Sequence, residues 1–141
     1  MTGKSDAVVL DKVLTQADFD AFAELSGDDN PIHVDPEFSA TTRFGRTVSH
    51  GMLLSTVLRG LLDQLVPGGR QVEQKLMFPS PTYAGDAMRF SAIRKSEDGR
   101  HVVAEVNCER IDDGVITCAG EATLLRPEQR WWHWRSASRQ K

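Results

Sequence analysis

The chain has 141 residues, 40% hydrophobic and 26% charged, which is the composition of an ordinary globular domain long enough to bury a core unaided. A formal net charge of -3 gives no general electrostatic case for nucleic acid or an anionic membrane as partner. Two cysteines, Cys108 and Cys118, are too few for a disulfide framework and lack metal-ligand spacing, and no apolar run reaches signal-peptide or membrane-spanning length, so a cytoplasmic protein is expected.

No internal repeat is present. Residues 7–14 (AVVLDKVL) read as a short strand. Thr15 then caps a helix through about Leu25, with Asp18 three residues on in place of the usual Glu of a capping box, and Phe19, Phe22, Ala23 and Leu25 forming its apolar side. Next comes SGDDNPIHVDP, Ser26 to Pro36, whose Gly, Asn and Pro mark it as a loop while Asp28, Asp29, His33 and Asp35 load it with titratable groups. Asp35-Pro36 opens a short helical turn, because proline suits the first helical position. Residues 50–65 (HGMLLSTVLRGLLDQL) are the main buried helix, apolar over most of its circumference and stopped by PGG at 67–69.

From Arg70 the apolar period becomes two. Val72, Leu76 and Phe78 share a parity, as do Met88, Phe90 and Ala92, then Val102, Ala104, Val106 and Cys108, then Ile116, Cys118, Ala122 and Leu124. The DDG at 112–114 predicts a three-residue hairpin loop with a glycine at positive φ. That register sets Cys108 opposite Cys118 on the inward face, as two small buried hydrophobes rather than a redox pair. The expected architecture is α+β, an antiparallel curved sheet wrapped around one long central helix, over residues 1–125. Two such units side by side would cover the edge strands, which points to a homodimer. The tail 126–141 carries five basic residues, one acidic residue and three tryptophans. Such a tail can stack bases or bind anionic lipid, but packing of its tryptophans on a neighbouring surface is the reading adopted.

The loop also has a chemical reading. Asp28 and His33 flank the Asn30-Pro31 turn, which can bring both side chains to one side, and a carboxylate beside an imidazole can position and activate water. Asp29 and Asp35 read as helix caps. A metal is not expected: one histidine with no second at i+4 falls short of zinc, unless the fold returns His50. In SHGM, 49–52, Gly51 starts the buried helix, where unpaired N–H groups at the positive end of the dipole can stabilise charge on a carbonyl oxygen. Gly51 also permits a ligand to approach the backbone, or simply permits tight packing.

Taken together, Ser26-Gly27-Asp28-Asp29-Asn30-Pro31-Ile32-His33, Asp35-Pro36 and His50-Gly51-Met52 resemble the pattern of the MaoC-like, (R)-specific enoyl-CoA hydratases of the hot-dog fold. The resemblance covers Val8 to Leu125 and leaves the tail outside. It implies reversible hydration of a trans-2-enoyl thioester to the (R)-3-hydroxyacyl thioester, with no cofactor. Asp28 and His33 would handle water and proton, and the Gly51 N–H would polarise the thioester carbonyl. Asn30 and His50 would contribute to substrate binding, and the enzyme would be a dimer.

One position departs from the family. Where the hydratases carry a small hydroxyl residue on the central helix, this chain has Arg59. It could pair with Asp28, bind a carboxylate or other polar group of an unusual substrate, or lie on an exposed strip. Thr56, one turn earlier, could supply the missing hydroxyl. The carrier is coenzyme A or an acyl carrier protein, in fatty acid or polyketide-type chemistry. Two alternatives stand: a hot-dog thioesterase, for which Asp63 is the available helix carboxylate, and a non-catalytic acyl-thioester-binding subunit.

Overall fold

The computed structural model describes residues 6–128. In chain order they form β1 (Ala7–Val13), α1 (Gln16–Ser26), α2 (Pro31–Val34), α3 (Pro36–Ala40), α4 (Gly51–Leu65), β2 (Arg70–Met77), β3 (Ala87–Asp98), β4 (His101–Arg110) and β5 (Ile116–Leu125). The strands make one antiparallel sheet in the order β1-β3-β4-β5-β2. Most of the tryptophan-rich tail lies outside the described residues. Its first residues are tied to the sheet, since Arg126 donates through Nε and Nη2 to Glu97 at 2.9 and 3.1 Å.

The core lies between α4 and one face of the sheet. The helix buries Leu53, Leu54, Leu58, Leu61, Leu62 and Leu65, residues recurring at three- and four-residue intervals. Opposite them, alternate residues of the central strands point inward: Met88, Phe90 and Ala92, then Val102, Ala104, Val106 and Cys108, then Cys118, Ala122 and Leu124. Three of these are alanines, and Ala104 pairs with Ala122. Short side chains at mid-sheet leave room for the leucines of α4, so the sheet can wrap the helix. Cys108 does pair with Cys118, both as free buried thiols, and the Cys108 thiol is pushed well above its ordinary range by its contact with Cys118 and by burial. Cys108 is therefore not a ready nucleophile, while the same contact lowers the Cys118 thiol against the opposing effect of burial.

Three sequence expectations need correction here. Val72 and Phe78 do not join the core: each is 45% exposed. The register of β2 shifts between Gln71 and Glu73, and β2 is an edge strand whose side chains stand mostly in the open. Leu25 is 83% exposed, because Phe19 and Ala23 define the buried stripe of α1 and Leu25 lies off it. The β4–β5 connection spans residues 111–115 rather than three residues, with Gly114 at φ 69° and Arg110 held to Asp113 across it.

Candidate active site

Two repeated local signals build the loop. Asn30 and Asp35 each precede a proline and each caps the helix that follows. Asn30 Oδ1 accepts from the Ile32 N–H at 3.1 Å, and Asp35 Oδ1 accepts from the Phe38 N–H at 3.1 Å. Upstream, α1 begins with the predicted capping box between Thr15 and Asp18. It ends at Gly27, whose φ of 82° reverses the chain while its N–H donates to Ala23 O. Asp28 is therefore delivered at the C-terminal end of α1 and His33 on the single turn of α2. Gln16 ties His33 to the scaffold: its Nε2 donates to His33 O at 2.8 Å, and its Oε1 accepts from Thr47 Oγ1 at 2.6 Å.

His33 is buried, whereas the Asp28 side chain is 57% exposed. His33 Nδ1 lies 2.7 Å from Val48 O, and since a carbonyl only accepts, Nδ1 carries the proton. That leaves Nε2 directed at Asp28 Oδ2, 3.8 Å away. The gap is too long for a direct hydrogen bond and short enough for one water to touch both atoms. The second histidine does return. His50, the N-cap residue of α4, stacks on His33 with ring centroids 3.8 Å apart at 25°, and its Nε2 donates to Asp28 O at 2.8 Å. Burial pushes the His50 imidazole below its ordinary range, with the hydrogen bond to Asp28 opposing the shift and His33 adding to it.

Asp28, His33 and His50 could each offer a ligand atom to a metal within 4.8 Å of one another. The two imidazoles, however, lie face to face, so their in-plane lone pairs run side by side instead of converging. This donor set does not fit a tetrahedral metal, which needs converging ligands.

Gly51 begins α4 beside this pair. The Leu53 N–H donates to His50 O, but the Gly51 N–H, at the first helical position, has no acceptor within the helix, and His50 supplies no side-chain cap. His33 and Gly51 open into one cavity of about 590 Å³, whose walls include Ile32, Val48, Leu54, Phe78 and Tyr83. Gly51 is also a packing requirement, because a Cβ there would come within 3.0 Å of the Phe78 ring. Phe78 and Tyr83 were not singled out from sequence as site residues. The segment PSPTY after Phe78 carried the available signal, a proline-broken connection returning to Val48 through the Val48–Tyr83 bridge.

Other expected site residues are placed elsewhere. Asn30 uses its side-chain oxygen as a cap. His50 is buried against Asp28, His33 and Phe22 and is not part of the cavity wall. Thr56 is exposed, with its hydroxyl turned back on Met52 O at 2.8 Å, the usual local bond of a helical threonine. Arg59 does not meet Asp28: it is two turns along α4 from Gly51, and its Nη2 donates to Gly69 O at 3.2 Å. Its position on the helix, rather than its charge, decides this, since Asp28 lies at the opposite end of α4. Asp63, the thioesterase candidate, is exposed near the same far end.

A helix wrapped by an antiparallel sheet, with an Asp/His loop facing the glycine that starts the helix, defines a hot-dog domain with a catalytic type of site. The chain belongs to the MaoC-like domain family, whose sequence model matches residues 2–117. It is 36% identical over 124 residues to an (R)-specific enoyl-CoA hydratase of Aeromonas caviae, covering 84% of this chain and 90% of that protein. It is 32% identical over 120 residues to a mitochondrial 3-hydroxyacyl-[acyl-carrier-protein] dehydratase of Arabidopsis thaliana, covering 82% and 72%. Among solved structures, the (R)-hydratase from A. caviae involved in PHA biosynthesis superposes with a TM-score of 0.81 at 34% identity, covering 89% of this chain and 97% of that one.

Proposed function

We propose that this protein is an (R)-specific enoyl-thioester hydratase, equally a 3-hydroxyacyl-thioester dehydratase in the reverse direction. The observation that carries the reading is the 3.8 Å gap between His33 Nε2 and Asp28 Oδ2 beside the cavity that the Gly51 end of α4 shares with His33. A water in that gap donates to both atoms and keeps a lone pair for the β-carbon of the enoyl group. As its oxygen bonds to C3, the pair takes one proton from the water, and the C2=C3 electrons move toward the thioester carbonyl. The Gly51 N–H stabilises the negative charge that develops on that oxygen. The pair then returns a proton to C2, so one water is added and no redox change occurs. Asp28, His33 and Gly51 are the catalytic residues of this scheme.

The carrier is a thioester of coenzyme A or of an acyl carrier protein, and relatives named for each kind support both. No helix among the described residues is long and apolar enough to cross a membrane, in keeping with a protein of the cytoplasm. A homodimer joined along β2 accounts for the exposed Val72, Met77 and Phe78 on that edge and for Met52 on α4. The thioesterase alternative loses support because Asp63 is exposed near the far end of α4 from Gly51 and His33.

Chiral analysis of the product formed from crotonyl-CoA tests the proposal. The expected product is the (R)-3-hydroxybutyryl thioester. Free crotonate would instead mark a thioesterase, and tight binding without turnover would mark a binding subunit.

A further inference from the structure

We infer that His50 is the positioning residue of the site, holding Asp28 through its main chain and His33 through its ring face so that the two stay in register. The inference rests on the reading of Asp28 and His33 as the reacting pair.

Asp28 has little of its own to keep it in place. It follows the left-handed Gly27 in an exposed loop, and its bonds there are local: its N–H donates to Ser26 Oγ at 3.1 Å and its Oδ1 accepts from the Asn30 N–H at 3.5 Å. Its hydrogen bond to a distant part of the chain is the one its carbonyl accepts from His50 Nε2, 22 residues away. His33 is held at one edge by Val48 O, and its face rests on His50 at 3.8 Å. The other side of His50 receives Phe22 of α1 edge-on, with centroids 4.9 Å apart at 64°. The main chain of His50 also accepts from the Leu53 N–H as α4 begins. One imidazole thus locks the end of α1, the turn of α2 and the start of α4 together, the three elements that deliver Asp28, His33 and Gly51.

The chemistry of the ring suits this task and excludes another. Nε2 donates to a carbonyl, so in the neutral ring Nδ1 is bare, and Nδ1 is buried without a hydrogen-bond partner. A protonated ring would bury an N–H with nothing to accept it, and would set a cation against the face of His33. A neutral His50 leaves His33 free to take and return the proton, without competing for it. His50 is buried and its Nε2 is spent on Asp28 O, so it acts through Asp28 and His33.

Three variants test the inference, with kcat and KM for crotonyl-CoA and the folded-state spectrum as readouts. His50→Phe keeps a flat ring between Phe22 and His33 and removes only the donor. It should lower kcat by roughly 10- to 100-fold, the scale of a small misplacement of reacting groups, with KM little changed. His50→Gln, which can still donate to Asp28 O, should retain more kcat than His50→Ala. In heteronuclear spectra of folded His50→Phe, the Asp28 amide and His33 ring resonances should move while those of β3 and β4 stay put. This readout stands even if crotonyl-CoA is not a substrate. Wild-type turnover by His50→Phe, or unmoved Asp28 and His33 resonances, would overturn the inference. So would a raised KM with unchanged kcat, which would make His50 a substrate contact, or equal kcat in the Gln and Ala variants. If His50→Phe fails to fold, the Gln-against-Ala comparison decides alone.

Discussion

Asp28 is more than half exposed while its partner His33 is buried, an asymmetry that divides their work. The imidazole is fixed by the protein, and the carboxylate is reachable by water. In the proposed scheme the Gly51 backbone N–H does the chemistry and the missing side chain makes space. Gly51→Ala keeps the backbone N–H but sets a Cβ 3.0 Å from the Phe78 ring, so it should push that ring aside, crowd the approach to the N–H and lower kcat/KM for crotonyl-CoA by about tenfold. Steady-state kinetics check this, and an unchanged value would show that the space left by the missing side chain is not needed.

His50 also makes a statement about stability. Its folded imidazole titrates below its ordinary value of about 6.5 because burial disfavours the cation. Above that value both the folded and unfolded chains hold it neutral, and nothing is lost. As pH falls through about 6.5 the unfolded chain takes up the proton first, so stability is lost progressively until the folded pKa is passed. Urea denaturation at pH 8 and pH 5 should therefore show a smaller loss for His50→Phe than for wild type.

At the scale of elements, two caps and one helix hold the site. Thr15→Ala opens the capping box of α1 and should cost about 1 kcal/mol by urea denaturation, with little effect on kcat. Leu58→Ala leaves a cavity against the inner face of the sheet and should cost about 2–5 kcal/mol, because Leu58 is 2% exposed. These elements were legible in the sequence for local reasons: cap residues, prolines at first helical positions, and the leucine spacing of α4. The loop was legible in part: Asp35-Pro36 starts a helix as expected, whereas Asn30-Pro31 starts the helical turn α2 rather than a simple turn, and its cap is Asn30 rather than Asp29. Arg59 was not. Its distance from Asp28 depends on where α4 lies relative to α1, a tertiary fact that no spacing within the helix encodes. His50 was named from the sequence for substrate binding; its stack on His33, on which the positioning role is inferred, joins residues 17 positions apart in the chain and is not encoded in any local spacing. The β2 parity failed for a related reason: alternation marks a buried face only where something covers it, and β2 is an edge with a register shift.

At the scale of the whole molecule, that edge is where the proposed homodimer would join. Val72, Met77 and Phe78 stand exposed along or just after β2, a hydrophobic edge of the kind that monomeric proteins protect. Met77→Lys should shift the protein from dimer toward monomer in sedimentation velocity, while a wild-type monomer would contradict the proposed assembly.

The central claim is that Asp28 activates water for an enoyl thioester, and the most direct test is the loss of ultraviolet absorbance of crotonyl-CoA on mixing with wild type and with Asp28→Asn. The account predicts rapid loss with wild type and a rate lower by about 10²- to 10⁴-fold with the variant, the usual contribution of a general base. Equal rates in the two proteins would contradict it, as would no loss with wild type on crotonyl-CoA and on longer or carboxylated enoyl thioesters.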